Sequence, residues 1–89
     1  MTTMFIRHQV SDYSAWRKVY DAFGPMQTAG GVLADVVYQA VDDPNDVTVS
    51  HDFATREAAL AFAASPDLRQ AMADAGVQGA PTVWLTQRA

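Results

Sequence analysis

Residues 41–53, Val-Asp-Asp-Pro-Asn-Asp-Val-Thr-Val-Ser-His-Asp-Phe, constrain this chain more than any other stretch. A turn cluster over residues 42–46 separates two segments of alternating polarity. Before it, Val32, Ala34, Val36, Tyr38 and Ala40 share one parity; after it, Val47, Val49, His51 and Phe53 do. Such alternation around a turn predicts a β-hairpin with one buried face. A helical pattern flanks the hairpin on each side, and a strand-like run lies near each chain end. The resulting order, β-α-β-β-α-β, predicts an α+β, ferredoxin-like layer: a four-stranded antiparallel sheet with helices on one face. Right-handed crossovers place the first strand beside the third and fourth.

The strands are expected at residues 4–10, 32–41, 46–53 and 82–87. Asp12 is the expected cap of a first helix with the stripe Tyr13, Trp16, Val19, Tyr20 and Phe23. Gly24-Pro25 should break that helix, with a further turn over residues 26–29 and a stop at Gly30-Gly31. Thr55 should cap a second helix, interrupted at Ser65-Pro66, where serine caps a fresh start and proline opens it. Gly76 ends that segment, and residues 79–81 read as a loop.

Strand parity sorts side chains between the two sheet faces. Met4, Ile6, His8, Val10, Val36, Tyr38, Val47, Val49, His51, Phe53, Val83 and Leu85 are expected under the helices. Phe5, Arg7, Gln9, Asp35, Val37, Gln39, Thr48, Ser50, Asp52, Thr82, Trp84 and Thr86 are expected on the open face. Phe5, Val37 and Trp84 make that face too apolar for water alone, which points to a partner, and a second copy of the chain suits it. At 89 residues the chain makes one domain, 1–89, with a thin core, so oligomerisation is a natural source of extra burial.

Composition narrows the chemistry. There is no cysteine, so disulfides, thiolate nucleophiles and cysteine metal sites are excluded. The net charge is −4 and the six basic residues are scattered, which argues against nucleic acid as a partner. No apolar run is long enough for a membrane span and no signal peptide is evident, so a cytoplasmic location is expected. No glycine motif cradles a phosphate, so neither flavin nor nicotinamide is expected as a cofactor. The only histidines, His8 and His51, both fall on the helix side by parity, and imidazole titrates near neutral pH. If His8 lies near Val49, the two rings are diagonal neighbours. Asp52 points away from His51, so a metal site with two histidines and a carboxylate is not expected. Arg7 reads as an ion-pair partner of Asp35 or Asp52 on the open face.

The segments Arg7-His8-Gln9-Val10-Ser11-Asp12-Tyr13 with Trp16, Asp42-Asp43-Pro44-Asn45-Asp46-Val47, and residues 61–68 with Met72 and Ala75-Gly76-Val77 carry a resemblance. The chain resembles the dimeric α/β-barrel superfamily and, within it, small stand-alone bacterial domains of the antibiotic-biosynthesis-monooxygenase type. That resemblance implies a homodimer in which two sheets meet face to face, with a ligand cavity between helices and sheet in each protomer. It also implies a cofactor-independent monooxygenase acting on a small aromatic or polyketide-like compound. His8 would then be the catalytic base or the hydrogen-bond partner of a phenolate, with Trp16 and Tyr38 positioning the ring; His51, on the same face by parity, is a further candidate for ligand binding, and no metal is expected. Two alternatives share the scaffold: a non-catalytic small-ligand-binding or stress-response module, and an isomerase or cyclase that needs one acid/base residue. A haem-degrading reading lacks a suitably placed asparagine, since Asn45 reads as a turn residue. The chain departs at Phe23-Gly24-Pro25 from similar sequences, which often read as a continuous polar helix there, so a reshaped cavity wall is expected.

Overall fold

The computed structural model describes residues 1–89. The elements are β1 (Thr2–Val10), α1 (Tyr13–Ala22), α2 (Gly24–Ala29), β2 (Ala34–Ala40), β3 (Asp43–Phe53), α3 (Arg56–Ala63), α4 (Pro66–Asp74) and β4 (Val77–Gln87). The strands form one antiparallel sheet in the order β2-β3-β1-β4, with the helices covering one face. No helix is long and apolar enough to cross a membrane.

Each helical region is split in two, where proline and the caps demand it. The Asp12 carboxylate accepts from Ala15 N at 3.1 Å and the Thr55 hydroxyl from Ala58 N at 3.1 Å, satisfying orphan amides of α1 and α3. Pro25 stands in the first turn of α2, just after α1 ends. Ser65 occupies the cap position of α4, but its hydroxyl makes no cap bond; Pro66 alone opens that helix. Gly76, at φ 79°, turns the chain from α4 into β4, and a Cβ there would meet Ser11 Oγ at 2.6 Å.

β1 and β3 pair with Ile6 opposite Val49, His8 opposite Val47 and His51 opposite Met4. The histidines are therefore farther apart along the ladder than a pairing of His8 near Val49 implies. Met4, Ile6, Val10, Val47, Val49 and Phe53 are buried beneath the helices, as alternation predicts. Phe5 and Trp84 stack on the open face with ring centroids 5.2 Å apart.

β2 inverts the expected parity. Asp35 lies opposite His51 and Val37 opposite Val49, so Asp35, Val37 and Gln39 share the helix side. Val36 and Tyr38 lie on the open face, 46% and 51% exposed. Both parities of this strand are partly apolar, so hydrophobicity alone does not choose between them. The register with β3 does, and a one-residue slip exchanges the faces.

Two strand boundaries and one ion pair also depart from expectation. β3 begins at Asp43, and its ladder shifts register after Gln39, so residues 44–46 form an irregularity in the strand, not a free turn. β4 begins at Val77; residues 79–81 are strand with a register shift opposite His8, and Pro81 is tolerated because β4 is an edge. Arg7 pairs with neither Asp35 nor Asp52. Its guanidinium donates twice to Asp46, at 3.0 and 2.6 Å, while Asp52 accepts from the Thr3 hydroxyl at 2.6 Å.

Candidate functional site

The core is two apolar clusters, not one. Met4, Ile6, Phe23, Phe53, Ala59, Phe62 and Leu68 form the first, and Val10, Trp16, Val47, Val49 and Ala75 the second. A cavity of about 40 Å³ lies where they meet, between the sheet, α1 and α4. Ile6, Phe23 and Leu68 line it from one cluster, Trp16, Val49 and Ala75 from the other, and His8 and His51 both face it. That volume suits one or two waters; an apolar void of about 150 Å³ is the size that accepts benzene.

Aromatic rings connect the histidines. The stripe of α1 stacks Trp16 on Tyr13 at 5.7 Å and on Tyr20 at 4.8 Å. His8 tilts against Trp16 at 5.8 Å, and His51 lies between Tyr20 at 6.3 Å and Phe62 at 5.4 Å. Both imidazoles are nearly sealed, His8 7% and His51 2% exposed. Yet none of their four ring nitrogens has a hydrogen-bond partner in the protein. An unpaired buried polar group costs about 1–3 kcal/mol, and native proteins tolerate few of them.

Burial also sets their charge state. It pushes His8 below the usual imidazole range against the weaker pull of Asp46. It pushes His51 down to about 4, against the opposing charges of Asp35 and Asp52. Both rings are thus neutral at pH 7, each with one N–H donor and one acceptor. Tyr20 is held protonated, first by burial and then by Asp35, whose carboxylate accepts from the Tyr20 hydroxyl.

The cavity has two thin walls. Val19, Phe23 and Ala71 separate it from an outer groove of about 250 Å³ along α1 and α4. Tyr20 and Gln27 separate it from a more polar groove of about 390 Å³ that includes Arg17, Asp21 and Asp35. Phe23, the residue before the Gly24-Pro25 break, contributes to the first wall.

Of the residues expected at a site, His8, Trp16 and His51 come together here, and Tyr38 does not. It stands on the opposite sheet face because of the β2 register, and cannot orient a ligand in this cavity. Tyr20, Gln27 and Asp35 are the additions. Tyr20 was visible as part of the α1 stripe. Asp35 needed the correct register to be seen as a neighbour of His51. Gln27 is one of few buried polar side chains and carried no pattern of its own. Asn45 serves more than its turn: its side-chain oxygen accepts from Tyr13 N at 3.0 Å and anchors the start of α1.

No protein-family model matches this chain, and no curated protein sequence does. Solved structures do. SnoaB, a cofactor-independent oxygenase from Streptomyces nogalater, is 13% identical, with 99% of this chain and 92% of that one covered and a TM-score of 0.81. An antibiotic biosynthesis monooxygenase is 14% identical over 100% and 99% of the two chains, with a TM-score of 0.77. Rv0793 from Mycobacterium tuberculosis is 18% identical over 99% and 94%, with a TM-score of 0.74. The chain has the fold of the antibiotic biosynthesis monooxygenase structures.

Proposed function

We propose that this protein is a cofactor-independent, monooxygenase-like enzyme whose substrate is a small, electron-rich, hydroxylated aromatic compound. The observation that carries the reading is the pair of buried imidazoles with unpaired nitrogens on a cavity lined mainly by apolar side chains, with Gln27 the only other polar one apart from the Tyr20 hydroxyl. Neutral imidazoles offer hydrogen bonds to an uncharged ligand, and the cavity lining contains no Lys or Arg to attract a carboxylate or phosphate. Trp16 supplies a flat face for a ring. Widening the cavity to ring size requires α1 and α4 to move apart at Val19, Phe23 and Ala71.

His8 is the base in this reading. It takes one of the two protons of an activated ring CH2, leaving a carbanion that reduces oxygen directly. A carbon–oxygen bond forms, the peroxide anion takes up a proton to become a hydroperoxide, and loss of the second C–H proton with hydroxide, as water, leaves a carbonyl. The cofactor-independent oxygenase among the structural neighbours supports this choice over an isomerase or a binding module. Oxygen uptake by the purified protein with a panel of phenols and anthrone-type compounds, and no added metal or cofactor, tests it. Turnover is expected; ligand binding without oxygen uptake would favour the binding module.

The assembly belongs to the same proposal: a cytoplasmic homodimer joined through the open sheet face. Val36, Tyr38 and the Phe5–Trp84 stack share that face, and Trp84 is 41% exposed. Burying such groups is favourable at about 25 cal/mol per Å², and stable interfaces cover at least ~1,000 Å². Trp84→Glu is expected to convert a dimer into a monomer by light scattering at micromolar concentration. A wild-type monomer, or a dimer that survives the substitution, would contradict this.

A further inference from the structure

The polar wall of the cavity places three groups in an arrangement that His8 lacks. Asp35 on β2 is the direct cross-strand partner of His51 on β3, and both face the helices. Directly opposed residues hold their Cβ atoms about 4.5–5.5 Å apart, within reach for a carboxylate and an imidazole. The two are nevertheless not bonded. Asp35 instead accepts the Tyr20 hydroxyl, and both ring nitrogens of His51 stay unpaired. Tyr20, reaching over from α1, lies against the His51 ring and also forms the boundary between the cavity and the polar groove.

We propose that His51 is a second proton-accepting centre held in reserve by Tyr20, and that an entering hydroxylated aromatic ligand releases it by displacing Tyr20 from Asp35. This deepens the ligand reading of the same cavity and rests on it. With Tyr20 swung outward, Asp35 accepts the N–H of His51. The other ring nitrogen then takes the proton of a ligand hydroxyl. The O–H bond breaks, the N–H bond forms, and the imidazolium lies between two anions, the Asp35 carboxylate and the ligand oxygen. Nothing is oxidised or reduced in this step. His51 touches the ligand; Asp35 and Tyr20 are positioning residues.

The groups that face His51 are few. Asp35 comes from β2, Tyr20 from α1, Gln27 from α2 at the shared wall, Phe62 from α3 and Met4 from β1. Arg17 sits over the Tyr20 ring at 5.6 Å and pairs with Asp21. Asp52 adjoins His51 in sequence, but its side chain is bonded to Thr3. Asp35 is thus the one carboxylate that Tyr20 controls.

The test uses the ligand-free protein. With only two histidines, NMR titration resolves each imidazole. In Tyr20→Phe, Asp35 is free to turn to His51, and the His51 pKa is expected to rise by at least one unit, a tenfold gain in proton affinity. In Tyr20→Phe/Asp35→Asn the rise should vanish, while His8 stays unchanged in both. An unaltered His51 in Tyr20→Phe would overturn the proposal. So would an equal rise in the double variant, which would mean solvent entry and not the carboxylate. Because no ligand is present, failure of the substrate reading would leave this result intact, and the two can be told apart.

Discussion

Acidification from pH 6.5 to pH 4 is expected to remove about 3 kcal/mol of folding stability through His51 alone. In the unfolded chain this imidazole has its ordinary pKa near 6.5; in the fold, burial pushes it down to about 4. Between those values the unfolded chain binds a proton that the native state refuses, so stability falls as pH falls. From about one unit above pH 6.5 both states are neutral and the contribution is constant. His8, also pushed down by burial, acts in the same direction. A domain of 89 residues has roughly 4–13 kcal/mol in total, so this loss is a large share. Urea denaturation at a series of pH values measures it. In His51→Phe the slope should flatten by the His51 share, with His8 and the Arg7-paired Asp46 still contributing. The same substitution should raise stability at pH 7.5 by about 1–3 kcal/mol, since two unpaired nitrogens disappear and a ring beside Phe62 remains. An unchanged pH slope in His51→Phe would show that this ring is not buried neutral.

His8→Ala is expected to lower turnover by about 10²–10⁴-fold, the usual worth of a positioned acid or base. The fold should persist, because the deleted ring has no hydrogen bonds to lose and its neighbour Trp16 keeps its stacks on Tyr13 and Tyr20. His51→Ala should cost less, since proton removal from carbon is assigned to His8. Initial rates of oxygen uptake, with circular dichroism as the check on folding, decide the matter. Full activity in His8→Ala would remove it from the reaction.

Much of this architecture was legible because each outer signal had one physical solution. Asp12 and Thr55 have amides to cap and Pro66 suits a first helical turn, whereas Gly24-Pro25, read as a break before residues 26–29, is itself the first turn of α2. The alternation in β1 and β3 buries one face and leaves no choice of parity. β2 is different. Val36 and Tyr38 are as apolar as Val37, because its open face is also partly apolar, and only hydrogen-bonded register separates them. That single ambiguity moved Tyr38 out of the cavity and hid Asp35 from His51. The bends at residues 44–46, in the inner strand β3, and 79–81, in the edge strand β4, read as loops from sequence because proline and glycine mark turns, and nothing local tells a strand irregularity from a turn. The division of the core into two clusters, with imidazoles at the junction, depends on how helices seat on the sheet and has no pattern in the chain itself.

The central claim is that the two unpaired imidazoles face a cavity that accepts a hydroxylated aromatic ring. Nitrogen-15 NMR of His8 and His51 during titration with phenol and 2-naphthol at pH 7.5 tests it most directly. The account predicts saturable shifts of both imidazoles, abolished for the substituted ring in His8→Phe and His51→Phe. If neither imidazole moves up to the solubility limit of the probes, the cavity is a defect in packing and not a binding site.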